Sequence, residues 1–171
     1  MFSIYTYKAV SDVISDANSN LFVGMFYDGS DRRVAKNSVR PDLKNGCDRG
    51  YDGQLEEYPV GSQNGIYLKS DRTMGLITGL AFDPKGNIVY SSRSPSELVV
   101  LAPPHWWPRR TIMLPRAQAQ DIEFDTAGHL FYSTGTTVVE LDYATGKPIA
   151  SFTFPLPSIG RFALSDGFPN Q

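Results

Sequence analysis

The chain has 171 residues and a mass of 18.9 kDa, room for one domain or one array of repeats and not for two large domains. A hydrophobic share of 41% beside 20% charged residues is that of a folded chain. A formal net charge of -2 with a pI near 5.6 argues against nucleic-acid binding, which needs a basic surface to displace counterions.

No apolar run approaches the roughly 18 residues of a bilayer-spanning helix, so no membrane insertion is expected. The opening MFSIYTYKAVSDVIS lacks a cationic start followed by an unbroken apolar stretch, so no secretory signal is expected, and the compartment stays open. Cys47 is the single cysteine, which excludes an intrachain disulfide, and His105 and His129 are the two histidines.

Taken in chain order, SIYTYK reads first, as a lone strand belonging to a unit otherwise missing. DVISDANSNLFVG follows from Asp12, an alternating apolar stretch that ends in Asp16, a turn, and a second apolar stretch. The same design returns as GLAFDPKGNIVYS from Gly79 and as DIEFDTAGHLFYS from Asp121, with Asp83 and Asp125 at the turn. RFALSD places Asp166 likewise. The steps from Asp83 to Asp125 and from Asp125 to Asp166 are 42 and 41 residues. The step from Asp16 to Asp83 is 67, one repeat carrying about 25 extra residues on the ~40–45-residue unit of a propeller blade. The second halves agree without a gap: Leu98–Pro115 lies on Val138–Pro155, Pro108 on Pro148 and Pro115 on Pro155.

Each regular unit breaks into four short strands, and no segment carries a sustained 3.6-residue apolar period. This predicts an all-β chain of β-propeller blades, each of four antiparallel strands, in an incomplete ring of about three blades. Blade one covers about 12–78 with an insertion near 39–64, blade two about 79–120, blade three about 121–161, and a further blade starts at 162–171. The insertion is assigned to the connection between the third and fourth strands of blade one. Closed propellers use about four to eight blades, so the open ends are expected to be completed by self-association or by a protein partner, or the chain is part of a longer propeller.

The turn aspartates read as structural, because an Asp before a tight turn accepts backbone N–H groups while a glycine supplies the positive φ. Asn20, Asn87 and His129 share the turn-exit position. Residues that break the repeat are the candidates for function. The turn of blade two is PPHWWPR, and Trp106, Trp107, Arg109 and Arg110 there have the composition of a binding hot spot or a glycan-stacking site; packing between blades is the plainer reading of the aromatics. On the opposite face Arg93, Arg116, Gln118 and Gln120 are suited to an anionic or polyhydroxylated ligand, and ordinary solvated loops explain them equally well. In the insertion, Asp42, Asn45, Asp48, Asp52 and Glu56 are oxygen donors that match no EF-hand spacing, so a solvated acidic loop is preferred to a calcium site.

The phrases GLAFDPKGNIVYSS, FDTAGHLFYST and VVELDYATGKPIASFTFP resemble NHL and YVTN-type propeller repeats, well over 79–166 and loosely over 12–38. The resemblance implies a fold and leaves function open, since such folds host enzymes, binders and scaffolds. No phosphate-cradling loop, GxSxG elbow or zinc spacing is present, so no catalytic residue, no metal ligand and no cofactor is assigned. The leading expectation is therefore a non-catalytic structural or interaction module within a larger assembly. The alternative is a metal-dependent lactonase-like hydrolase of the gluconolactonase and senescence-marker type, whose Ser-Pro-Asp-Gly turn ALSDG resembles. A carbohydrate-binding, lectin-like propeller using Trp106 and Trp107 is the third reading.

Overall fold

The computed structural model describes residues 8–27, 52–70, 76–93, 96–115, 118–155 and 159–164. These form twelve strands and no helix. The first sheet holds β1 (Lys8–Ser15), β2 (Leu21–Tyr27), β3 (Asp52–Tyr58) and β4 (Ile66–Ser70). The second holds β5 (Ile77–Phe82), β6 (Ile88–Ser92), β7 (Glu97–Ala102) and β8 (Trp107–Met113). The third holds β9 (Asp121–Phe124), β10 (Leu130–Thr134), β11 (Thr137–Asp142) and β12 (Lys147–Thr153). Each sheet is antiparallel with its strands in sequence order. The first strands β1, β5 and β9 touch in succession, which places them innermost. The chain is an all-β arc of three propeller blades.

Every first hairpin closes as turn chemistry requires. Asp83 Oδ1 accepts the N–H groups of Lys85 and Asn87, both at 2.9 Å, and Asn87 Nδ2 donates to Asp83 Oδ2 at 2.7 Å. Asp16 does the same for Asn18 and Asn20, and Asp125 holds both the backbone N–H and the ring of His129. The donors lie two and four residues on. Gly86 and Gly128 take φ of 77° and 87°, and Ser19 adopts the same left-handed conformation at 64°. The missing glycine of blade one therefore does not change the turn.

Blade two buries both of its faces. Phe22 and Leu55 of blade one pack on Ile77, Leu80, Ile88, Tyr90, Val99 and Leu101. The opposite face, with Val89, Leu98, Val100 and Ile112, packs on Ile122, Leu130, Tyr132, Val139 and Leu141 of blade three. The alternation along β6 and β7 sends successive residues to opposite neighbours, so these strands are apolar on both sides. Gly79 stands where the inner strands meet: a Cβ there would lie 2.9 Å from Ile122 N and 3.0 Å from Asp121 Cα.

The insertion sits differently from expectation. Residues 52–58, read above as part of it, are β3, paired with β2 from Leu21↔Tyr58 to Tyr27↔Asp52. The extra residues therefore fall between the second and third strands of blade one, and only a short turn joins β3 to β4. The strand was missed because Glu56, at 7% exposure, stands where blade two has Val99, and Gln54, at 5%, is a further buried polar residue that interrupts the apolar alternation. Glu56 accepts from Tyr58 Oη at 2.7 Å and from the Gln54 amide, which satisfies both groups inside the sheet. Asp42, Asn45 and Asp48, and the strands read in SIYTYK up to Tyr7 and in RFALSD beyond Leu164, lie outside the described residues. Arg161 to Leu164 are described, and they are not in a strand.

Candidate functional site

Two surfaces carry the repeat-breaking residues, and the structure treats them differently. At the β7–β8 turn the aromatic and cationic residues are divided among neighbours. Trp106, with φ of 53°, turns back onto Phe22 of blade one, ring centroids 5.3 Å apart at 67°. Arg110 reaches the other way, donating to Tyr143 O at 2.7 Å and Ala144 O at 2.8 Å while its guanidinium lies 5.6 Å over the Tyr143 ring. Tyr143 Oη in turn donates to Asp83 at 3.0 Å, and burial, then that carboxylate, raises its pKa. Trp106 and Arg110 are thus joints between blades. Trp107, at 69% exposure, and Arg109 face solvent without them.

The opposite face holds a cleft of about 460 Å³ where the three blades meet. Its walls are Ser11 on β1, Leu76–Thr78 at the entry to blade two, Arg93 after β6, Gln118–Gln120 between blades two and three, and Thr134–Gly135 at the β10–β11 turn. This is within the ~300–1,000 Å³ range of small-molecule sites. Arg93, Gln118 and Gln120, singled out by sequence, come together here; Arg116 lies outside the described residues. Arg93 Nε donates to Gln118 Oε1.

The frame beneath is tied. Arg93 N donates to Leu76 O at 3.0 Å, Gln120 N to Ser133 O at 2.8 Å, and Thr78 Oγ1 to Ala119 O at 2.6 Å.

Sequence reasoning missed Ser11, Thr78 and Arg161. The signal was in the alignment already drawn: Ser11, Thr78, Gln120 and Arg161 each directly precede a repeat opening, at Asp12, Gly79, Asp121 and Phe162. Three of these line the cleft, and Arg161 donates to the Ser11 carbonyl and pairs with Asp12 at 3.1 Å, which brings it to the blade-one edge. One repeat position thus supplies the axis with a serine, a threonine, a glutamine and an arginine.

Below that position sit buried carboxylates with structural duties. Asp12 Oδ2 accepts the Leu80 N–H at 2.7 Å, joining blade one to blade two. Asp121 Oδ2 accepts the Phe162 N–H at 3.0 Å in the same manner. Burial first, and then the Asp12 charge, raise the Asp121 pKa, with the Phe162 N–H and Arg161 working against them. Glu123 is raised by burial and by the charges of Asp121 and Asp12. Among the described residues no three His, Cys, Asp or Glu side chains are grouped to hold a metal ion. Asp52 and Glu56, offered above as oxygen donors, belong to β3.

No family model matches the chain, and no curated protein does. Solved structures do. A gluconolactonase from Xanthomonas campestris superposes with a TM-score of 0.61 at 16% identity, over 85% of this chain and 47% of its own. Regucalcin from Agrobacterium tumefaciens, a calcium-binding protein, gives 0.61 at 14% identity over 88% and 47%. A luciferin-regenerating enzyme gives 0.61 at 13% over 88% and 48%. The chain spans about half the length of these structures, and at such identity the likeness shows the fold alone, a β-propeller. The leading expectation of a non-catalytic module is corrected by these neighbours, which favour the hydrolase reading set beside it.

Proposed function

We propose that the chain is part of a lactonase-like propeller hydrolase, and that its axial cleft receives the substrate. The observation that carries this reading is the convergence of three blades on one cleft that Arg93, Gln118 and Gln120 help to line, on the face opposite the structural Asp turns. The gluconolactonase-type neighbours support it as relatives in fold. Ring opening of a lactone adds water to the acyl carbon, breaks the ring C–O bond, and leaves a hydroxyl and a carboxylic acid. The donors of Arg93, Gln118 and Gln120 suit the oxygens of such a molecule and orient it. Among the described residues that line the cleft, none is a carboxylate or histidine. The metal of the metal-dependent form does not fit these residues, because Asp12 is held by Leu80 N–H and Arg161, and Asp121 by Phe162 N–H.

The test is proton release from an aldonolactone in a pH-stat, with calcium added and with chelator. A rate above buffer that falls at least tenfold in Arg93→Ala is expected; a rate equal to buffer in both conditions overturns the reading.

We further propose that the outer face of blade three is covered by another propeller blade, a second copy's when this chain is alone in solution. Ile112 and Leu114 are 5% and 8% exposed under blade three, while their repeat equivalents Phe152 and Phe154 are 50% and 42% exposed. The pairs Leu98↔Ile112 and Val138↔Phe152 show the same register, so these are matching positions. Light scattering should find the chain associated and the double change Phe152→Asp, Phe154→Asp monomeric. A monomer before the change, or no response to it, overturns this.

We also propose that the repeat is of the NHL and YVTN type, a reading supported by Asp83-Pro84-Lys85-Gly86-Asn87 and by Asp142 with Thr145-Gly146-Lys147.

A further inference from the structure

The open face of blade three differs in charge from the covered face of blade two. On blade two the row Ala81, Val89, Val100 crosses the sheet beneath blade three, each residue at 5% exposure or less. Blade three sets Glu123, Phe131 and Glu140 in the matching row, with Phe131 paired to both acids. The next row holds Val138 and Phe152, so an apolar surface is crossed by two carboxylates.

Few charged groups surround these acids. Beside Glu123 stand Asp121 on its own strand and Asp12 on β1; burial raises its pKa first, and those two charges raise it further. Arg161, the cation of that corner, is paired with Asp12. Glu140 has His129 Nδ1 at 3.8 Å, and that ring is held by Asp125 at 2.8 Å. β5, β6 and β10 carry no charged residue, and on β12 the cation is Lys147, opposite Asp142 at the hairpin end.

A second copy can cover this face with either of two surfaces. Its own blade three brings Glu123 and Glu140 again. Its blade one has an open front, the counterpart of the blade-three front that covers blade two, with Val13, Val23, Glu56 and Tyr67 in one row. Val13 and Tyr67 there are 45% and 54% exposed. Neither row contains a cation, so acid meets acid in both arrangements. Water that solvates Glu123 and Glu140 leaves when the face is covered, and a desolvated carboxylate near another holds a proton more firmly. The covered state then binds more protons than the open one, so falling pH favours covering. A protonated His129 acts in the same direction, as a cation beside Glu140.

We infer that the blade-three face is a proton-linked interface between two copies of this chain, closed by Phe131, Phe152 and Phe154 and opposed at higher pH by Glu123 and Glu140. The inference rests on the reading that a second copy covers this face, and it adds what regulates the contact.

Sedimentation equilibrium of the 171-residue protein between about pH 8 and about pH 6, both above its pI near 5.6, is the test. The dimer dissociation constant is expected to fall at least tenfold across that range. Glu123→Ala with Glu140→Val, the residues of blade two, should associate at the upper pH as tightly as the parent at the lower, and lose the dependence. Glu57→Gln with Glu97→Gln removes the same charge from blades one and two and should keep it. A dissociation constant unmoved by pH overturns the inference and leaves the covering reading standing; a monomer at every pH overturns both. A response that survives Phe152→Asp with Phe154→Asp belongs to another face and also overturns it. So does one that vanishes in His129→Asn, which would place it on the imidazole. Circular-dichroism melts of the variants matching the parent show that a changed association is not lost folding.

Discussion

Gly79→Val is expected to cost at least ~3 kcal/mol of stability, or to leave the chain unfolded. The physical reason is that the new atoms meet backbone. A Cβ at 79 would stand 2.9 Å from Ile122 N, 3.0 Å from Asp121 Cα and 3.2 Å from Asp121 C, and none of these can rotate away. Overpacking that side chains absorb costs about 1–3 kcal/mol; here β5 and β9 must separate, and the cluster formed by Val89, Leu98, Ile122, Leu130 and Tyr132 opens with them. Gly79→Ala should show the same effect at reduced size. For a chain of this length a loss of 1 kcal/mol lowers Tm by about 2–4 °C, so a thermal melt resolves both. An exposed change on the same hairpin, Lys85→Ala, is the control and should stay within about 0.5 kcal/mol. A valine variant as stable as the parent would mean that the inner strands do not approach as described.

The second large effect belongs to Asp12. Its carboxylate accepts Val13 N–H at 2.9 Å and Leu80 N–H at 2.7 Å, and pairs with Arg161. Asp12→Ala leaves the Leu80 N–H buried without an acceptor, a loss of about 1–3 kcal/mol. The Arg161 pair adds little, since Arg161 itself is largely solvated. Asp12→Asn retains an oxygen for Leu80 and should recover most of the loss. Hydrogen exchange reads this at one site: the Leu80 amide should lose protection in the alanine variant and keep it in the asparagine variant. Equal protection in all three proteins would dismiss the latch.

Much of the arc was legible because its signals repeat. Asp16, Asp83 and Asp125 each announce a hairpin through turn chemistry that needs no knowledge of the rest of the fold. Where the chain departs from its own pattern, legibility fell in step with polarity. The strand containing Gln54 and Glu56 buries polar groups, so alternation of apolar residues could not reveal it. Trp106 and Trp107 look like a pair in sequence, yet the positive φ of Trp106 folds it onto Phe22 while Trp107 points to water. The cleft was half visible. Arg93, Gln118 and Gln120 stood out as polar interruptions, whereas Ser11, Thr78 and Arg161 look ordinary, and only their shared place before each repeat opening marks them.

The contact between Arg161 and blade one also bears on the order in which the arc is built. Hairpins and blades close over short loops, and the joint between β5 and β9 spans about one repeat. Arg161 meets the Ser11 carbonyl across 150 residues. Closing so long a loop costs entropy that only prior structure can reduce. On a ribosome, blades one and two can be complete while residue 161 is still unmade, because synthesis runs at about 5–20 residues per second and folding of short-range elements is faster. The Leu80–Asp12 latch is then an early event and the arginine clasp the last. A folding probe placed on that clasp reports the finished arc, and one placed on Leu80 reports its first joint.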